Sequence, residues 1–299
     1  MALTKEQIAE QLQTLQDRIC QAIQSTDGKG KFIEDSWERP GGGGGRSRVI
    51  ENGGIIEKGG VNFSAVHGEL PSNVQKALGV SEKDFFATGV SIVMHPENPH
   101  VPIIHMNVRY FELNENVWWF GGGIDLTPHY VVQEQVDWFH GRLKNACDKT
   151  DLDYYPKFAE WADRYFYIPH RNESRGVSGI FFDRLNLEST KNSKEELFQF
   201  LLDVGNEFAP IYTHLMSLNQ SKKVSELNKA WQMHRRSRYV EFNLVHDKGT
   251  KFGLDTNGRI DSILMSLPPS TGWIYTQNWP EGGEELSTQE YLRTVHVPK

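Results

Sequence analysis

Cysteine is nearly absent from this chain: Cys20 and Cys147 are the only two in 299 residues, and neither stands in a C-x-x-C pair. That scarcity excludes a disulfide-stapled scaffold and a thiolate zinc site. Long apolar runs are missing as well. No stretch approaches 18 apolar residues and the first residues lack a signal peptide's apolar core. No membrane span is therefore expected, and a soluble protein of a reducing, cytoplasmic compartment is. A basic excess is lacking too. With 32 Lys and Arg against 39 Asp and Glu, the net charge of −7 offers no general field for nucleic acid. The run Gly121 to Gly123 lacks the G-x-G-x-x-G spacing and a following helix start, and no flavin, haem or nicotinamide motif occurs.

What is present is a chain with 38% hydrophobic and 11% aromatic residues, enough to bury a large core. Its centre of gravity is Ser91 to Tyr130. Read with a period of two, Gly89, Ser91, Val93 and His95 fall on one side of a strand, and Val90, Ile92 and Met94 on the other. After the turn PENPHVP, a second strand from Ile103 to Phe111 puts Ile104, Met106, Val108 and Tyr110 on an apolar face. His105, Asn107 and Arg109 take the opposite face, about 7 Å apart in a regular strand. Paired as a hairpin, the two strands present Ser91, His95, His105, Asn107 and Arg109 as one polar row. Pattern alone leaves two readings of that row, a functional groove or the solvated face of an antiparallel sheet.

Elsewhere, Thr4 to Gln24 reads as an amphipathic helix capped by Thr4 with Gln7 three positions on, its face lined by Ile8, Leu12, Leu15, Ile19 and Ile23. Five glycines, Gly41 to Gly45, are expected to hold neither strand nor helix, and read as a linker or as a mobile loop over a ligand. Asn52-Gly53 predicts a hairpin turn, with extended chain continuing over Val61 to His67. Helices are expected over Val131 to Cys147, Pro156 to Tyr167, Ser193 to Met216 and Val224 to Met233, and a short buried strand over Gly176 to Asp183. The last third is expected to return to strands, at Arg238 to Asp247, Lys251 to Leu254, Ile260 to Leu267 and Gly272 to Gln277, with a turn at DTNGR. Antiparallel hairpins with helices inserted as a block predict an α+β single domain spanning 1–299.

His95, His105, His140 and His170 are candidates for proton transfer or, less directly, metal binding. No H-E-x-x-H spacing supports a metal, and each taken singly reads as structural before functional. Arg109, Arg171, Arg175, Arg235, Arg238 and Arg259 could grip a polyanionic small ligand through two-point contacts with carboxylates, or pair with the chain's own 39 acids.

Long stretches, taken in order, carry a resemblance. EDSWERPGGGGGRSRVI, GVNFSAVHGE, GVSIVMHPENPHVPIIHMNVRYF, WWFGGGIDLTP, HRNESRGVSGIFFD, SRYVEFNLV, GTKFGL and SILMSLPP are similar to the oxygen-dependent coproporphyrinogen III oxidase family, from about Phe32 to Trp279. The resemblance implies oxidative decarboxylation of two propionates of coproporphyrinogen III to vinyl groups, giving protoporphyrinogen IX in haem synthesis. Molecular oxygen would be the acceptor, and carbon dioxide and peroxide the by-products. It implies a homodimer with contacts near His170 and residues 240–275. It also implies a flat antiparallel sheet of about seven strands covered by helices, with the cleft on one sheet face. Carried over by motif, His105 is the catalytic acid/base and Asp247 engages the pyrrole nitrogens. Ser91, Asn107, Val108, Arg109, Asn257, Gly258 and Arg259 contact substrate. His95, His105, His140 and His170 are the positions of a divalent metal. Two positions depart from the pattern: Lys248 follows Asp247 where arginine is usual, and Arg184 follows Asp183 where a second acid is usual. A tetrapyrrole carrier without turnover, and a metal-dependent enzyme acting on another organic acid, are the alternatives.

Overall fold

The structure, a computed structural model, describes residues 3–70, 75, 81–82, 84–255, 258–275 and 278–297. Helix α1 (Lys5–Asp27) opens the chain with the Thr4–Gln7 capping box foreseen from its sequence, and Gly28 closes it in the left-handed region. Six strands follow in a meander: β1 (Ile33–Glu38), β2 (Gly43–Glu51), β3 (Ile56–Glu69), β4 (Asp84–Pro96), β5 (Ile103–Asn114) and β6 (Val117–Thr127). Helices α2 (Gln133–Asp148) and α3 (Tyr154–Tyr165) come next, then the short pair β7 (Tyr167–Ile168) and β8 (Glu173–Ser174). Strand β9 (Gly179–Leu185) returns to the sheet beside β6. The result is seven antiparallel strands in the order β1-β2-β3-β4-β5-β6-β9. Helix α4 (Lys194–Asn219) crosses behind them.

The two faces of this sheet have opposite characters because alternation is kept across all the central strands. Val61, Val90, Ile92, Met94, Ile104, Met106, Val108, Tyr110, Phe120, Ile124, Ile180 and Phe182 face the helices α1 to α4 and join their apolar stripes in one core. The Asn52-Gly53 turn forms as expected, with Asn52 at φ 53°. It is braced by Asp27, whose carboxylate accepts from the backbone N–H groups of Gly30, Gly54, Ile55 and Ile56 at 2.6–2.8 Å.

The glycine run corrects one expectation. Gly43, Gly44 and Gly45 are part of β2, paired with Glu38 and Trp37 on one side and Ser64, Ala65 and Val66 on the other. Glycine is required here by closeness rather than by freedom. A Cβ on Gly43 would sit 2.2 Å from the Ala65 carbonyl, at a φ of +78°.

The C-terminal third is the larger correction. Arg238 to Asp247 is helical. Helix α5 (Glu226–Glu241) starts at a Ser225–Asn228 capping box and runs into a π-turn, Phe242–His246. In YVEFN the alternation of period two coincides with a helical spacing. Arg235, Tyr239 and Phe242 stand at i, i+4 and i+7, and all three are buried. The expected strands beyond it are α6 (Lys248–Asp255) and α7 (Ile260–Leu264). Asp247, in an extended conformation, accepts from the Thr250 N–H and starts α6, a capping pattern that outweighs the short apolar runs. Gly272 to Tyr275 is not a strand; Gly272 donates to the Met233 carbonyl, and Thr276 and Gln277 lie outside the described residues. Helix α8 (Glu284–Thr294) ends the fold. Helices α5 and α7 lie over the polar sheet face, so helices stand on both sides of the sheet.

Candidate active site

The strand registers turn the polar face into rows that run across the sheet. One row is Ile33, Val49, Gly60, Val93, His105, Asp125 and Gly179; the next is Asp35, Ser47, Asn62, Ser91, Asn107, Gly123 and Phe181. A third is Trp37, Gly45, Ser64, Gly89, Arg109 and Gly121. Glycine recurs on this side, so the floor is flat. The C-terminal helices cover only part of it. Ser262 of α7 bonds to Ser47 and Asn62 (both 2.9 Å), and Met265 lies so near Gly60 that a Cβ there would meet its sulfur. Over β4, His95 meets the Ser266 carbonyl and Tyr239 packs on Val93 and Ile103. Ser64, Gly89, Ser91, His105, Asn107 and Arg109 remain partly open to solvent. A separate hollow of about 810 Å³ lies between α1 and the far ends of β3 to β5, and none of these six residues lines it.

At one end of the open floor, His105 Nδ1 lies 2.7 Å from Asp125 Oδ1. Asp125 is buried, and burial alone would raise its pKa. The Arg175 guanidinium at 2.7–2.8 Å and the His105 hydrogen bond outweigh that and hold the carboxyl below its usual range. Arg175 is itself buried, bonded to Asn243 of the π-turn at 2.8 Å, and ringed by Phe166, Tyr239 and Phe242 at 4.4–4.7 Å. An ionised Asp125 on Nδ1 places the proton there and leaves His105 Nε2 as the basic nitrogen.

Asp247 lies within electrostatic reach of this group. Its Oδ1 accepts from the Tyr165 hydroxyl at 2.8 Å, and its Oδ2 accepts from the Thr250 N–H and hydroxyl at 2.7 and 2.8 Å. Burial pushes its pKa up, yet these donors, with a smaller contribution from His105, bring it below the ordinary carboxylate value. Further along the floor, Arg109 reaches Asn107 Oδ1 (2.7 Å) and Asp183 Oδ1 (2.9 Å) with about a third of its side chain exposed. That geometry presents a guanidinium edge beside Ser91 and Gly89.

The other expected site residues are spread more widely. Val108 turns its side chain into the core, so only its backbone faces the strands. Gly258 donates to the Gly253 carbonyl, and Asn257 lies outside the described residues. Arg259 pairs with Asp35 on β1, four strands from Arg109, on the order of 19 Å. Lys248 is exposed at the start of α6.

The four histidines of the expected metal site do not share a centre. His95 is fully buried, with Nε2 on the Ser266 carbonyl. His140 is held by the Tyr155 hydroxyl (3.0 Å) and the Val177 carbonyl (2.9 Å), and is stacked on His296. His170 is exposed, between His246 (3.0 Å) and Glu241 (2.9 Å). Each imidazole keeps its own partners, and among the described residues no three His, Cys, Asp or Glu side chains are placed to hold a metal ion. The donor set does not fit that metal site.

Sequence reasoning did not assign a role to Asp125, Tyr165 or Asp183. Asp125 was detectable as an acid isolated among glycine and apolar residues, on the register of His105; Tyr165 and Asp183 approach only through the tertiary fold.

A mixed α/β fold whose sheet bears a carboxylate-backed imidazole and a guanidinium edge over a glycine-lined floor brings together a proton-transfer group and an anion-binding group. The chain belongs to the coproporphyrinogen III oxidase family, whose model matches residues 7–297. Among curated proteins it is 47% identical over 289 residues to "Coproporphyrinogen-III oxidase 1, chloroplastic" of Arabidopsis thaliana, covering 92% of this chain and 74% of that one. It is 46% identical to the "Oxygen-dependent coproporphyrinogen-III oxidase" of Prochlorococcus marinus, over 98% of this chain and 91% of that one.

Proposed function

We propose that this chain carries out oxygen-dependent oxidative decarboxylation of coproporphyrinogen III, converting two propionates to vinyl groups and yielding protoporphyrinogen IX in haem synthesis. Family membership over nearly the whole chain supports the reaction, and the His105–Asp125–Arg175 arrangement on the open floor supports where it happens. Each conversion releases carbon dioxide, one proton and two electrons from a propionate. Dioxygen takes the two electrons with two protons and leaves as hydrogen peroxide. The macrocycle is electron-rich, so loss of a pyrrole proton lets its carbon skeleton meet dioxygen directly. The protein then has to supply a base and anion clamps.

His105 Nε2 is the base and later the acid, kept in one tautomer by Asp125. Asp247, ionised, retains lone pairs on Oδ1 for a pyrrole N–H. Arg109, with Ser91 and Asn107, holds a propionate; Arg259 and the Asn257-Gly258 turn serve a second one after Arg259 leaves Asp35.

The active form is a homodimer. Leu244, Val245, Leu254, Ile260, Trp273 and Ile274 are 41–60% exposed within residues 240–275, an apolar surface of the kind that subunits bury. Among the described residues no helix is long and apolar enough to cross a membrane, and a reducing compartment such as the cytoplasm suits the two free, buried cysteines. Incubating the protein with coproporphyrinogen III in air, with and without a chelator, tests the reading. It requires vinyl product and peroxide in both samples. A complex without turnover supports a carrier, and turnover lost to the chelator supports a bound metal.

A further inference from the structure

The Arg109 guanidinium owes its position to a break in the neighbouring strand pair. Between β6 and β9 the register runs Gly122 to Phe182 and then Phe120 to Leu185, so Gly121 alone opposes both Asp183 and Arg184. That is a β-bulge. Phe182 and Leu185 stand three residues apart, yet both enter the core, which strand alternation permits only if one residue between them is extra. The extra residue is Arg184, exposed and held at φ 53°, in the left-handed region that an arginine seldom adopts. The bulge leaves Asp183 on the open face, where its Oδ1 accepts from Arg109 Nη2 at 2.9 Å across the width of β6. Gly121 lies beneath that pair: a Cβ there would sit 2.4 Å from Asp183 Oδ1 and 2.9 Å from Arg109 Nε and Nη2.

A left-handed arginine and a bare glycine are poorly explained by the stability of this ion pair. Both side chains are about a third exposed, and pairs in that setting add little to a fold. Local strain of this kind gathers at functional sites. What the pair does is fix a direction. Arg109 donates through Nη1 to Asn107 Oδ1 at 2.7 Å and through Nη2 to Asp183, so the guanidinium plane is pinned at both terminal nitrogens. Among the described residues those two bonds leave three of its five N–H groups for a ligand. A fork already held in place binds a carboxylate without first losing its own freedom.

We propose that Asp183 is the positioning residue for Arg109, and that the bulge at 183–184 and the bare Gly121 serve to bring the two together. This assignment rests on the propionate grip proposed above for Arg109. Asp183 touches the substrate only through that arginine. Arg109 stands four residues along β5 from His105, about 13 Å by strand rise, so the effect of Asp183 falls on affinity and not on proton transfer.

The test compares the wild type with Asp183→Ala, Asp183→Asn, Arg109→Lys and the double variant Asp183→Ala with Arg109→Lys. Equilibrium binding of coproporphyrinogen III is measured under nitrogen, where no oxidation proceeds, and KM and kcat in air. Asp183→Ala is expected to weaken binding and raise KM about fivefold, the worth of one hydrogen bond, with kcat within about twofold. Asp183→Asn keeps an accepting Oδ1 and should bind within about twofold of the wild type. Arg109→Lys already lacks the fork, so adding Asp183→Ala to it should cost nothing more. Asp183→Ala binding as tightly as the wild type overturns the assignment, and so does the same fivefold loss in the lysine background. A wild type that does not bind under nitrogen overturns the propionate grip itself. Gly121→Ala reaches the pair from the opposite strand and should give the same loss, so it decides the matter should Asp183→Ala fail to fold.

Discussion

Replacing Asp125 by asparagine probes the site at its most buried point. In the native protein Oδ1 accepts from both His105 and Arg175, and Oδ2 accepts from Arg175 again. Asparagine offers one acceptor oxygen and turns an N–H₂ group toward a donor. It also leaves the Arg175 guanidinium, buried like its partner, without a counter-charge. Breaking a buried pair from one side costs about 3–5 kcal/mol, a fall in Tm on the order of 10 °C for a chain of this size. Turnover is expected to fall by a further 10²- to 10⁴-fold per folded molecule, roughly the contribution of a well-placed proton-transfer group. The double variant Asp125→Leu with Arg175→Met separates the two effects. It removes the uncompensated charge, so thermal denaturation should show much of the stability restored, while steady-state assay shows no recovery of activity. Asp125→Asn with Tm within about 2 °C of wild type and undiminished turnover would refute the reasoning.

Acid should destabilise the fold before it touches the carboxylates. His95 is held down to about 3 and His234 to about 4 by burial and neighbouring arginines, and His129 is also depressed. The unfolded chain therefore takes up these protons first; stability is whole above about pH 6.5 and is lost downward through those values, about 1.4 kcal/mol per histidine per pH unit. Urea midpoints at pH 7.5 and 5.5 check this, and equal midpoints contradict it. Arg109→Lys keeps the charge and loses the fork, so KM should rise about tenfold with unchanged Tm, as steady-state kinetics and melting would show. Gly43→Ala forces a Cβ against the Ala65 carbonyl at positive φ and should cost about 1–3 kcal/mol in chemical denaturation.

The sheet was legible because its signal is local. Alternation through β4 and β5 determined which residues face the core, and the Asn52-Gly53 turn and the Thr4 cap depend on a few neighbours each. The C-terminal helices were not legible. YVEFN satisfies both a strand and a helix period, and burial of Arg235 against Glu173 at 2.7 Å, which favours the helix, is a contact 62 residues away. The glycines of β2 misled for a related reason: their use lies in the neighbouring backbone. His105, Asn107 and Arg109 could be read from one strand, whereas the Asp125–Arg175–Asn243 support behind His105 needs three separate segments brought together.

The most direct measurement is aerobic turnover of coproporphyrinogen III by the wild type and by His105→Gln, with carbon dioxide and oxygen counted. Two of each per divinyl product are expected from the wild type, and a loss of about 100-fold or more in the variant at unchanged Tm. A wild type that binds the macrocycle without releasing carbon dioxide, or a His105→Gln chain that works at the native rate, would contradict that expectation.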